Sequence, residues 1–211
     1  MNITGTEGAR RRRHRERGAA MIEAAIVTPA FFALLFGILE FGLLFRSLLA
    51  TNNGAAEAAR AAAVGGARPE ADFFILRSVQ HGLGAIGLDQ VEYVVVFRAD
   101  GPEATMPAAC ANGSIAAPPG DSTAPACNRY LRADFFKDLD DPVTGLDTGN
   151  FRCGPTSVDR YWCPTSRDDA LAGGTEYVGI AVKTRHEFIT GILPGGKDLA
   201  RTAITRLEPV Q

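Results

Sequence analysis

The sequence predicts an α+β protein: one long N-terminal transmembrane helix, then a small extracytoplasmic domain with a helix and an antiparallel sheet of about three strands. Three observations carry that reading. Residues 24–45, AAIVTPAFFALLFGILEFGLLF, are apolar with a single charge, and as a helix they extend roughly 33 Å, enough to cross a hydrocarbon core of about 30 Å. Helical periodicity persists to about residue 82 and then gives way to β-branched and aromatic runs. All four cysteines fall in Pro/Gly-rich stretches of the distal half.

The elements follow in chain order. Residues 1–18 hold six of the 22 Lys/Arg (Arg10–Arg13, Arg15 and Arg17) and only Glu7 and Glu16 among the 24 acids. A basic cluster before the apolar run, with none after it, predicts a cytoplasmic N-terminus and a C-terminal region outside. The run exceeds the apolar core of a cleaved secretory signal, about 7–15 residues. Residues 46–64, RSLLATNNGAAEAARAAAV, continue the helix on alanine-rich sequence to a stop at Gly65-Gly66, with a soft spot at Asn52-Asn53-Gly54. A second helix is expected at about 70–82, with Ala71, Phe74, Ile75 and Val79 on its buried face. Strands are expected at Gln90–Arg98, Glu176–Phe188 and Arg201–Leu207, the last two separated by a turn at Leu193–Gly196. A loop occupies 100–128, a short helix 129–139, and an irregular segment with the only tryptophan, Trp162, 141–173. The chain thus divides into a basic leader at 1–18, a membrane helix with its extension at 19–64, and an extracytoplasmic α+β domain at 65–211.

Beyond residue 18 the chain carries 16 bases against 22 acids, a formal charge of −6. An acidic region of this kind lacks the cations that would replace counterions around phosphates, so no nucleic-acid partner is expected. Cys110, Cys127, Cys153 and Cys163 read as two disulfides in an oxidising compartment, paired by proximity as Cys110–Cys127 and Cys153–Cys163 among three connectivities. No pair has CxxC spacing and His14, His81 and His186 are scattered, which argues against zinc. Asp138-Leu139-Asp140-Asp141 lacks the spacing of a calcium loop, and Asp168-Asp169 reads as an ordinary turn. Arg60, Arg68 and Arg77 read as surface charges, and His186 as an exposed or half-buried strand residue. No GxSxG, HExxH or GxxxxGK[ST] occurs, so neither enzyme, cofactor nor metal is expected. The large loop with Trp162 offers itself as an adhesive surface or as mere decoration.

The membrane run carries the functional signal. Glu40 lies within it, where an ionised carboxylate costs about 2.5–3.5 kcal/mol. Ala30, Ala33, Gly37, Glu40, Ser47 and Thr51 fall in one helical sector about 100° wide, a small and polar stripe of the kind through which helices pack in lipid. At the other end stand basic residues, Gly18, Ala19, Ala20, Met21, Ile22 and Glu23. This order resembles a type IV prepilin-like cleavage site, in which a membrane peptidase cuts after the glycine and leaves glutamate fifth in the mature chain.

Residues 17–42, RGAAMIEAAIVTPAFFALLFGILEFG, resemble the N-terminal signature of the TadE-like family, the minor pseudopilins of tight-adherence (Flp-type) pilus systems. The likeness runs on through Thr51 to Arg60, and Arg206-Leu207-Glu208-Pro209 resembles an ending common in that family; it does not extend to residues 100–170. The resemblance implies a structural and assembly protein in the cytoplasmic membrane. Its implied partners are other pilins and pseudopilins, inner-membrane pilus-assembly proteins, a prepilin peptidase and membrane lipid. Gly18 and Ala19 would flank the cut, and Glu23, Ala33, Gly37 and Glu40 would serve assembly. Two readings compete: a membrane-anchored binding or sensing module that keeps residues 1–18, and a secreted protein cut near Ala50.

Overall fold

The computed structural model describes residues 5–115, 126–132, 134, 151–170, 174–191 and 193–209. It forms two compact units, one of Met1–Leu43 with Phe188–Gly195, the other of Leu44–Glu187 with Gly196–Gln211. The element order is α1 (Gly5–Gly65), α2 (Ala71–Gly82), β1 (Val91–Ala99), α3 (Ala108–Asn112), β2 (Cys127–Leu131), β3 (Tyr177–Glu187) and β4 (Gly196–Arg206). The α+β class and the long N-terminal helix are as the sequence predicts.

The helix does not break at Asn52-Asn53-Gly54. Gly54 is there for close approach: a Cβ on Gly82 of α2 would fall 2.6 Å from Gly54 Cα, and one on Gly54 would lie 3.1 Å from Leu83 Cγ. Without side chains at either position the two backbones touch, and Ala50, Ala55, Ala58, Ala59 and Ala62 bury the rest of this face of α1. Alanine suits the seam twice over, as the best helix former and as a small side chain. At Gly65 the helix stops where expected, and Gly66 takes the left-handed conformation (φ 54°) that favours glycine after a helix. The tail then satisfies one of the open carbonyls of the last turn, because Glu208 N–H donates to Ala63 C=O at 3.0 Å while Leu207 enters the core.

The sheet is antiparallel in the order β2-β1-β3-β4. β1 alternates its side chains between two cores. Val91, Val94 and Val96 join the alanine face of α1, the buried face of α2, Tyr130, Val178, Ile180 and Val182. Val95, Phe97 and Ala99 join Cys110, Ile115, Cys127 and Ala181 on the opposite side. Covered on both faces, the strand reads as a continuous apolar run. Gly179 stands opposite Phe97, whose ring occupies the space a Cβ would need.

Five corrections follow from this arrangement. The sheet has four strands among the described residues, because Cys127–Leu131 pairs with β1 as an edge strand. The helix expected at 129–139 is therefore strand at 129–131; Arg132 and Asp134 are helical as expected, and the rest lies outside the described residues. β4 begins at Gly196 rather than Arg201, since pairing with β3 overrides the weak strand preference of Gly-Lys-Asp. On α2, Phe74 is 47% exposed and Phe73 and Leu76 are buried instead, because Phe73 packs edge-on against Phe151 from the irregular segment. Trp162 is buried and so is not part of an adhesive surface.

A buried polar cluster ties the irregular segment to α2 and β2. Asp72 pairs with Arg167 at 2.5 Å, both side chains fully buried, and also accepts from Tyr130 Oη and from Asn128 Nδ2 at 2.9 Å. Asn128 exchanges two hydrogen bonds with the Trp162 backbone, and the Arg167 guanidinium stacks over the Trp162 ring at 4.3 Å. Burial, then the Asp72 charge, holds the Tyr130 hydroxyl well above the usual phenol range. Nearby Asp159 accepts from Cys153 N–H at 3.1 Å. Burial pushes its carboxyl up to about 6, with that N–H working against the shift. The Cys110–Cys127 and Cys153–Cys163 bridges close loops in the same region. The loop-closure model assigns a bridge of this size about 3 kcal/mol.

Gly82→Ala is expected to lower stability by about 1–3 kcal/mol through the clash with Gly54, read by urea denaturation of the solubilised chain with Trp162 fluorescence. For Asp159 the folded state holds a proton more tightly than the unfolded one. Its contribution is therefore fullest below the unfolded value of 3.8 and falls as pH rises through about 6. Asp159→Asn should flatten that part of the stability profile, so that the variant gains on wild type between those pH values; parallel profiles would disprove the assignment.

Candidate functional site

The features singled out in the sequence lie on α1, and the structure separates them into an open upper part and a closed lower part. From Gly18 to Leu39 the helix is apolar and exposed on nearly every side. Met21, Ile22, Ile26, Val27, Phe31 and Leu34 are each more than half exposed. This is the one helix among the described residues long and apolar enough to cross a membrane. An apolar surface of this extent is stable only in lipid or against other apolar helices. Pro29 sits inside it and cannot donate to the Ala25 carbonyl, a defect that membrane helices accommodate.

Within this open part lie Gly18, Ala19, Glu23, Ala30, Ala33 and Gly37. Gly18, Ala19 and Glu23 are exposed, as are Ala30 and Ala33. A Cβ on Gly18 or Gly37 would meet nothing within 4 Å. The small-residue stripe thus forms a shallow, uncovered track along the helix.

Below it, the same stripe is occupied by the chain itself. Glu40, 1% exposed, accepts two backbone N–H bonds through Oε1, from Ile189 at 2.8 Å and Thr190 at 2.5 Å. Both donors belong to the loop between β3 and β4, which shares a compact unit with the upper helix. In the other unit Ser47 Oγ bonds His186 Nδ1 at 3.0 Å. Thr51 Oγ1 meets Thr184 Oγ1 at 2.7 Å and donates to Ser47 C=O at 2.8 Å. Thr184 and His186 are two apart on β3 and so share a face, while Ser47 and Thr51 are four apart on α1 and do the same. His186 is buried, not exposed or half-buried as expected, because the helix covers it.

The sequence signalled the polar residues of the stripe but not their partners. Thr184, His186, Ile189 and Thr190 lie more than 130 residues away from them, and only the apolar composition of the turn, FITGILPG, marks that loop as unusual. The other candidates are plain. Asp169 accepts from Ala67 N–H, Arg60 pairs with Glu57, and Arg68 is exposed. Asp138–Asp141 lies outside the described residues. No cluster of metal-ligating side chains occurs among the described residues.

The model of the family described as TadE-like protein matches residues 18–60. This segment is TadE-like. The match begins at Gly18, covers the open helix and the stripe, and ends at Arg60 within the alanine seam. The likeness covers 43 of the 211 residues and relates this segment, not the rest of the chain, to tight-adherence pilus systems. No curated protein and no solved structure matches the chain.

The two parts of the TadE-like segment should respond oppositely to substitution. Ser47→Leu overfills a buried position and is expected to cost about 1–3 kcal/mol. Gly37→Ala should stay within about 0.5 kcal/mol. Denaturation of both variants in the same detergent checks the pair.

Proposed function

We propose that this chain is a minor pseudopilin-like structural component of a tight-adherence pilus machine. It is held in the cytoplasmic membrane by α1, with residues 1–18 in the cytoplasm and residues 65–211 outside. The observation that carries the reading is the TadE-like match over 18–60, which starts at the glycine preceding the apolar helix. The arginine-rich leader supports the orientation.

The chemistry of the helix start fits removal of the leader. A glycine at the scissile bond lets a membrane peptidase approach the backbone closely. Cleavage after Gly18 would create a positively charged α-amino group on Ala19. Glu23 is four residues further on and on the same helical face, where its carboxylate would balance that charge, in its own helix or a neighbour's. The partial positive charge of the helix N-terminus favours the same carboxylate. Ala33 and Gly37 then offer close approach to the helices of other pilins or of inner-membrane assembly proteins, as small residues do in lipid. Glu40 serves assembly from within the chain, by fixing the β3–β4 loop beside the helix.

N-terminal sequencing of the chain from membrane fractions tests this. A start at Ala19 is expected, and Gly18→Arg should retain the leader, visible as a higher intact mass. A wild-type chain beginning at Met1 would sink the processing claim and favour an uncleaved anchor carrying a binding or sensing module; a start near residue 50 would make the helix a discarded signal.

A further inference from the structure

We propose that the β3–β4 hairpin tip, Phe188–Gly195, is a second membrane-contacting element, inserted among lipid acyl chains beside α1 and pinned at that depth by Glu40. The tip reads FITGILPG, with no charged residue and five that are apolar. Turns that face water are built mainly from Gly, Pro, Asn, Asp and Ser; here only Gly191, Pro194 and Gly195 are of that kind, and four of the other five residues are Phe, Ile or Leu. This one presents Ile189 at 73% exposure, among the most exposed large apolar side chains in the molecule.

Depth follows from the hydrogen bonds. Ile189 and Thr190 donate to Glu40, so their backbone lies level with residue 40 of the helix. Residue 40 is five positions inside the end of the apolar run at Phe45, or roughly 7–8 Å along the axis. Apolar faces that lie in the interface bury themselves about 5–10 Å, so the two depths agree. The helix surface at this level is also apolar and open, with Phe36, Leu39 and Phe41 exposed. Arg46 on the helix, together with Lys197 just after the tip, is placed in sequence where a cation reaches back to headgroups.

The same arrangement explains why a carboxylate stands in the apolar run. Non-helical backbone is tolerated at membrane depth only where its polar groups are satisfied by protein. Glu40 supplies the acceptor for two successive N–H groups of the tip, and those donors in turn keep the carboxylate out of contact with hydrocarbon. Each group removes the other's penalty.

The inference rests on α1 spanning a bilayer, and the test separates the two. The full chain, with native disulfides intact, would carry one environment-sensitive fluorophore on an introduced thiol. It would be placed in phosphatidylcholine/phosphatidylglycerol nanodiscs, with quenching by doxyl groups near the top of the acyl chains compared with quenching by aqueous iodide. Ile189→Cys, or Leu193→Cys if the first fails to fold, should lose most of its emission to the doxyl lipid and little to iodide. Leu34→Cys on the helix should be quenched by lipid, and Arg201→Cys on β4 by iodide. Quenching of the tip label by iodide would overturn the proposal, as would shielding from both quenchers, which would mean a protein-covered tip. Failure of the Leu34→Cys label to see lipid would overturn the membrane reading itself. Added to the tip-labelled chain, Glu40→Leu should shift quenching from lipid toward iodide and Glu40→Gln, which keeps an acceptor oxygen, should not. Unchanged lipid quenching in Glu40→Leu would remove Glu40 as the pin.

Discussion

The close approach of α1 and α2 at Gly54 and Gly82 is the constraint on which the larger unit depends. Two helices without side chains at their crossing bring the alanine face of α1 and the Phe73/Ile75/Leu76/Val79 face of α2 onto one side of the sheet together. Dispersion between small side chains is weak atom by atom, so such a seam works only where the backbones touch. Once the seam is set, β3 lies where Thr184 and His186 meet Thr51 and Ser47, and the C-terminal tail reaches the last turn of α1. The TadE-like match runs into this seam, so the matched segment contains core residues as well as the exposed apolar helix.

Among the described residues, the buried carboxylates of Asp72 and Glu40 each have specific partners. Asp72 and Arg167 neutralise each other while Tyr130 and Asn128 use the remaining acceptor capacity of Asp72. A pair of this kind adds little net stability over apolar packing, and losing one partner is costly, about 3–5 kcal/mol. Its effect is to fix which part of an irregular segment meets which strand. Glu40 follows the same logic in the smaller unit, with backbone N–H groups in place of a guanidinium.

Much of this architecture was legible in residue order because its causes are local. An apolar run of membrane length, a flanking arginine cluster and an alanine-rich continuation to Gly65-Gly66 act through composition and 3.6-residue spacing. β1 and β3 declared themselves by β-branched residues. β2 did not, since Cys-Asn-Arg-Tyr-Leu has little strand preference and becomes a strand by pairing with β1. Phe74 is exposed where burial was expected, and Phe73 is buried instead because Phe151, 78 residues further on, packs against it.

The stripe on α1 draws the line between the two sources of information. The sequence by itself determined that Ala33, Gly37, Glu40, Ser47 and Thr51 share one face, because helical geometry permits nothing else. Only the tertiary structure decided that this face divides, with Ala33 left open and Glu40, Ser47 and Thr51 closed by the chain's own hairpin. The physical reason is that a helix fixes the direction of its side chains locally, while the partner that satisfies a buried polar group is chosen by contacts distant in sequence.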